Sequence, residues 1–177
     1  TARVTNDLAV VQPASGDDEG DADYLDASAM INGDDELVGE LTGRALKNAG
    51  EDKTERAEAM RKFVNRYINQ KGLATAFATA SETARTRAGD CSEHAVLLCA
   101  LLRADDIPSR VATGLIYADR FAGERDIFGW HMWSQALIDG KWIDLDATLP
   151  VPYDATHILC STSSLADGTG ELSALMM

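Results

Sequence analysis

Apolar residues fall along this chain in two rhythms, a helical one in its first half and a strand-like one in its second. Leu37, Leu41 and Leu46, with Ala45, mark an amphipathic helix that ends at Gly50. Over 53–70, Ala57, Met60, Phe63, Val64, Tyr67 and Ile68 recur at three- and four-residue steps, with Arg56, Arg61, Lys62 and Arg66 between them. This predicts a second helix with a buried face and a basic, solvated one, ended by Gly72. Thr79 or Ser81 stands where a cap would start a short third helix running to about Arg87. After Gly89, Cys91 opens an apolar run through Ala95, Leu98, Leu101 and Leu102, and Asp105, Asp106 and Pro108 close it.

Strand patterning then takes over. Segments 109–117, 130–138, 141–147 and 157–161 read as strands. Asp139-Gly140 joins the second and third, a pair that tolerates the positive φ angles of a two-residue hairpin. A further lead-in strand is expected over 3–11, followed by a mobile acidic loop over 15–26. That loop lacks the Asp-x-Asp-x-Asp-Gly run and distal Glu of a calcium loop and reads as solvated. The expected organisation is this lead-in over 1–26 and one domain over 27–177. Helices first and strands afterwards argue an α+β domain in which helices pack on an antiparallel sheet.

Composition supports one ordinary domain: 177 residues, 45% hydrophobic and 25% charged, with 14 Gly and 4 Pro. No apolar run is long enough to span a bilayer, so no membrane partner is expected for this segment. Sixteen basic against 29 acidic residues leave a net charge of −13. Nucleic acid and anionic membranes are poor partners for such a chain, because they require a basic face. Cysteines stand at 91, 99 and 160, an odd number with no close pair, which argues against a disulfide framework. The chain begins at Thr1 and stops in the apolar run Leu175-Met176-Met177, so it reads as a piece of a longer protein with flanking domains. The cellular compartment stays open.

Cys91 is the most informative residue. It follows Gly89-Asp90 at the start of an apolar helix, where unpaired N–H groups and the helix dipole favour an anion, so a thiolate is expected. Cys99 lies inside the apolar run and Cys160 in a strand, and both are assigned to packing. A nucleophilic thiol needs a base. His94 lies one turn along the same helix and reads as a helix-face residue; His157 precedes the last strand and reads as structural. His131 opens the predicted hairpin. Counting outward from the turn, Ile138 faces Lys141, Trp133 faces Asp146, and His131 faces Thr148. His131 and Asp146 then share a face as diagonal neighbours, roughly 7–8 Å apart between backbones. Asp144 lies one pair further away. Met132, Ala136, Ile138, Ile143 and Leu145 form the opposite, core-facing set. A metal reading needs more than the Cys91-x-x-His94 pair, namely His131 or His157 and another ligand.

The run TRAGDCSEHAVLLCALLRADDIPSRV, residues 86–111, followed by GWHMWSQALIDGKWIDLDATLP, residues 129–150, resembles the transglutaminase-like superfamily of papain-fold cysteine enzymes. That family places Cys at a helix N-terminus, then an Ile-Pro-x-Arg strand, then His and Asp on adjacent strands. The resemblance covers about residues 85–158 and implies a papain-like, transglutaminase-core fold. It implies Cys91 as nucleophile, His131 as general base and Asp146 as the acid that orients it, with no cofactor or metal. The family's Asp-Pro-Thr stands here as Asp146-Ala147-Thr148. Animal transglutaminases carry a Trp upstream of the Cys, whereas this chain has none before Trp130, which leaves the backbone N–H of Cys91 for the oxyanion. The implied reaction is acyl transfer on an amide of a protein or peptide, through a thioester. Hydrolysis is expected first; glutamine cross-linking and a binding module without catalysis are the other readings. Trp130 and Trp133 flank His131 and are candidates for the wall of an acyl-binding groove.

Overall fold

The protein is described here by a computed structural model covering residues 22–72, 77–121 and 123–167. The predicted lead-in strand over 3–11 lies outside these residues. The elements run α1 (Ala22–Leu25), α2 (Glu36–Ala45), α3 (Lys53–Tyr67), β1 (Gln70–Lys71), α4 (Ala80–Thr86), β2 (Ala88–Gly89) and α5 (Cys91–Arg103). Four strands follow: β3 (Ser109–Phe121), β4 (Glu124–Ile138), β5 (Lys141–Leu145) and β6 (His157–Ser163). The four helices α2 to α5 start at side-chain caps, from Asp35, Asp52, Thr79 and Asp90, each accepting a hydrogen bond from a backbone N–H of the first turn. Thr79, one of the two expected caps, forms a full capping box with Glu82.

The core is built around α5. Every residue from Ser92 to Arg103 is buried, with α2, α3 and α4 packed on one side and β3 and β4 on the other. Leu97, Leu98, Leu101 and Leu102 are fully enclosed, each worth roughly 2 kcal/mol of apolar burial. The antiparallel sheet has the order β5-β4-β3-β6, so the mixed α+β architecture with helices on an antiparallel sheet is present. Asp139 and Gly140 take φ angles of 50° and 68°, and Ile138 pairs with Lys141 as the turn chemistry requires.

Several boundaries differ from expectation for identifiable reasons. Helix α3 ends at Tyr67 rather than Gln70. Ile68 turns extended and buries its side chain, and the N–H groups of Asn69 and Gln70 donate to the Arg87 carbonyl, setting β1 parallel to β2. The β3–β4 hairpin runs well past the expected 109–117 and 130–138. Its outer half is exposed, so no core face imposes an alternation there, and the ladder with a Tyr117–Phe128 edge contact defines it. Part of the predicted acidic loop is ordered as α1, whose neighbour Asp26 accepts from buried Arg103 and whose Tyr24 packs edge-on against Trp142.

Strand β5 stops at Leu145, so the expected pairs Trp133–Asp146 and His131–Thr148 do not form. Arg61 and Asn65 of α3 draw this segment away. Arg61 donates to the carbonyls of Asp146 and Leu149 at 3.1 and 3.0 Å, and Asn65 to those of Ala147 and Thr148 at 2.8 and 3.0 Å. Arg61 thus leaves the solvated face predicted for it. It is 1% exposed and is paired with Glu58.

Candidate active site

The turn into α5 is set by Gly89. Its φ is +150°, and a Cβ there would lie 2.3 Å from the Cβ of Glu93. That closeness lets fully buried Glu93 fold back: its Oε2 accepts from the Asp90 N–H at 2.9 Å and its Oε1 from the Ala78 N–H at 3.0 Å. Asp90 in turn accepts from the Ser92 N–H and hydroxyl at 3.0 and 2.9 Å. Cys91 is thereby fixed as the first residue of a rigid helix, its side chain partly exposed.

The expected thiolate is corrected by this arrangement. Burial first, and then the Asp90 carboxylate, push the Cys91 thiol up to about 11, against a weaker pull from the backbone N–H groups of Met132 and Cys91. Asp90 already uses the donors of the first turn, and its own charge offsets the positive end of the helix. The interaction with the Met132 N–H also locates the thiol beside the strand residue that follows His131.

His131 and Asp146 meet although their ladder pairing is lost. His131 Nε2 lies 2.9 Å from Asp146 Oδ2, with both side chains buried. The other carboxylate oxygen accepts the Thr148 N–H at 2.7 Å. Burial works to raise the Asp146 pKa, but hydrogen bonds from His131, His157 and the Thr148 N–H outweigh it and hold the carboxyl well below the usual range. With Nε2 engaged by Asp146, Nδ1 is the ring nitrogen of His131 that does not face this carboxylate. Asp144 serves other groups: its Oδ1 accepts from Trp133 Nε1 at 2.7 Å and Gln135 Nε2 at 2.8 Å. Burial raises its pKa.

His157 was expected to be merely structural, yet it joins this group. Its Nε2 lies 3.2 Å from the same Asp146 Oδ2, and its ring is 5.6 Å from that of His131. Nitrogen and oxygen atoms of His131, Asp146 and His157 fall within 4.8 Å of one another, the one convergence of this kind among the described residues. Metals are held by such groups; here each converging atom is engaged in a hydrogen bond. His94, read as a helix-face residue, is buried on α5, with Nδ1 against the Asp90 carbonyl and its pKa lowered mainly by burial. Cys99 is enclosed in the core, as assigned. Cys160 is exposed rather than packed, because it is the extra residue of an irregularity in β6. The two tryptophans part company. Trp130 is 75% exposed, whereas Trp133 is 1% exposed and faces Tyr153, His157 and His131 from behind, so it cannot wall an open groove.

Residues 40–147 match the family described as the transglutaminase-like superfamily. No curated protein matches the chain. Among solved structures, a candidate cysteine protease from Cytophaga hutchinsonii is 26% identical with a TM-score of 0.66, over 85% of this chain and 48% of that one. The present chain therefore spans about half of that protein. The periplasmic domain of TgpA from Pseudomonas aeruginosa is 23% identical with a TM-score of 0.49, over 64% and 44% of the two chains. Red sea bream transglutaminase is 16% identical with a TM-score of 0.45, over 71% and 28%.

Proposed function

This chain belongs to the transglutaminase-like superfamily, and from that premise we propose that it is a cysteine enzyme acting on protein or peptide amides through a thioester. The observation that carries the reading is the buried 2.9 Å contact between His131 Nε2 and Asp146 Oδ2, set beside the strand position that faces the Cys91 thiol. Of the two cysteines within the family match, Cys99 is enclosed in the core, which leaves Cys91.

In the proposed reaction Cys91 is a thiol at rest. Its proton passes to Nδ1 of His131 as sulfur attacks the carbonyl carbon, and Asp146 stabilises the resulting imidazolium through Nε2–H. The oxyanion formed has the backbone N–H groups of Cys91 and Met132 at hand, both of which reach the thiol. His131 then gives the proton to the departing amine as the carbon–nitrogen bond breaks, leaving the acyl group on sulfur. Water next attacks the thioester with His131 again taking a proton, and carboxylic acid and free thiol are released. Hydrolysis is the favoured outcome because Cys91 is partly exposed, which leaves water a path to the thioester. Mass analysis of a glutamine peptide incubated with and without a primary amine tests this. Deamidation or cleavage should dominate in both samples, and amine incorporation dominating would replace hydrolysis with cross-linking. Loss of every product in Cys91→Ala is required in either case.

A further inference from the structure

We propose that His157 is a positioning residue for this reaction: its Nε2–H fills the second acceptor site on Asp146 Oδ2 and so fixes the carboxylate against His131. The inference rests on the roles proposed above for Cys91, His131 and Asp146.

His157 reaches this place through a one-residue irregularity. On β6, Ser163 and Ser161 pair with Val111 and Thr113, but Leu159 and His157 pair with Gly114 and Ile116, one residue out of step. Continued without the shift, the ladder would set His157 opposite Tyr117, on the side of the sheet that carries Trp130. The extra residue, Cys160, turns His157 to the side of His131 instead. Gly114 permits the close approach this needs, since a Cβ there would lie 2.0 Å from the Ile158 carbonyl oxygen, a backbone atom that cannot step aside cheaply.

The ring is then held from all sides. Tyr153 packs against it at a tilt, 4.3 Å between ring centres, and Trp133 meets it edge-on at 5.3 Å. Nδ1 lies 3.2 Å from both the Thr156 hydroxyl and the Asp154 carbonyl. An apolar ring would fill the same space; what the imidazole adds is a donor aimed at the oxygen that also receives His131. A buried carboxylate without enough donors is costly and free to turn toward other partners. With Thr148, His131 and His157 all donating, Asp146 has one orientation, and His131 is held in the Nε2–H tautomer with its Nδ1 lone pair free.

Gln and Asn at position 157 separate this from a packing role, because a Gln amide reaches the place of Nε2 while an Asn amide reaches only that of Nδ1. Three quantities would be compared in wild type, His157→Gln and His157→Asn: melting temperature, kcat and KM on an amide substrate, and the His131 tautomer from ring ¹⁵N–¹H spectra. The expected result is a kcat lower by roughly 100-fold in His157→Asn, the cost of a misplaced reacting group, with KM nearly unchanged. The His131 Nε2–H tautomer should also be partly lost in that variant, and both effects largely restored in His157→Gln. Equal behaviour of the two variants, or an unchanged tautomer in both, would overturn the inference. So would stoichiometric zinc in purified wild type that disappears in His157→Asn, which would make the group a metal centre. The tautomer measurement needs no turnover, so it decides the role of His157 even where Cys91-dependent activity is absent and the proposed function itself fails.

Discussion

The resting state of Cys91 is open to a direct chemical test, alkylation by iodoacetamide followed at each cysteine by peptide mass spectrometry. The thiol is pushed up to about 11, against an ordinary value of 9.0. Near pH 8 that difference leaves roughly 100-fold less thiolate than an ordinary cysteine carries, and only the thiolate is alkylated. A more basic thiolate is intrinsically more reactive, and with a Brønsted coefficient of about 0.4–0.5 this returns roughly 6- to 10-fold. Cys91 should therefore react about 10- to 15-fold more slowly than an unhindered thiol, before its partial burial slows it further. Exposed Cys160 supplies the reference within the same molecule, and enclosed Cys99 should remain unlabelled until the protein unfolds. The log rate at Cys91 should climb linearly from pH 7 to 10 without a plateau. Asp90→Asn keeps a side chain that caps the helix but removes the charge, so it should speed labelling at every pH in that range. A plateau below pH 8, or Cys91 outpacing Cys160 at neutral pH, would show a stabilised thiolate and refute the argument that burial and Asp90 prevail over the helix dipole.

Three further outcomes are expected. Asp146 has a folded pKa below its unfolded value, so its contribution to stability is complete above pH 4 and is lost as pH falls through the folded value; each unit of difference is worth about 1.4 kcal/mol. Urea unfolding between pH 5 and 2 should accordingly show a shallower acid-induced loss in Asp146→Asn than in wild type, and parallel curves would contradict the assignment. Arg61→Met leaves two buried-side carbonyls without the Arg61 donor and Glu58 with Lys62 alone, and should cost about 3 kcal/mol in chemical denaturation; a change below about 1 kcal/mol would show that α3 does not hold the Asp146 segment. Gly114→Ala should lower the melting temperature by several degrees, roughly the effect of 1–3 kcal/mol of overpacking, and a variant as stable as wild type would mean that β6 can withdraw from β3 without cost.

Where burial and turn chemistry govern the chain locally, the sequence was readable. The helical repeats in α2, α3 and α5 each face a continuous core, and Asp139-Gly140 determines the pairing of β4 with β5 as far as Leu145. Position alone singled out Cys91, His131 and Asp146, and the structure brings His131 and Asp146 into contact. What escaped depends on partners distant in sequence. Arg61 occupies a slot that helical periodicity assigns to solvent, and only the passage of residues 146–149 over α3 encloses it. The outer half of the β3–β4 hairpin has no core beneath it and leaves no period-two signal. The contact of His157 with Asp146 is not legible because the face a strand residue occupies is counted by twos, and the extra residue Cys160 reverses the count. The state of the Cys91 thiol turns first on its burial and then on the Asp90 carboxylate, and both depend on how α5 packs in the fold.

The misstep in β6 also bears on how related chains ought to be compared. In a strand, adding or removing one residue exchanges the two sides of everything that lies beyond it, so the number of residues between His157 and Ser161 acts as a two-position selector. Deleting Cys160 alone would leave every chemical group of the site in the polypeptide and still send the second imidazole to the opposite side. A relative with one residue fewer there would have to carry its histidine at a neighbouring position to keep the same partner. Equivalent residues are therefore to be matched by the side of the sheet they occupy, and a gap placed one position away would hide the correspondence.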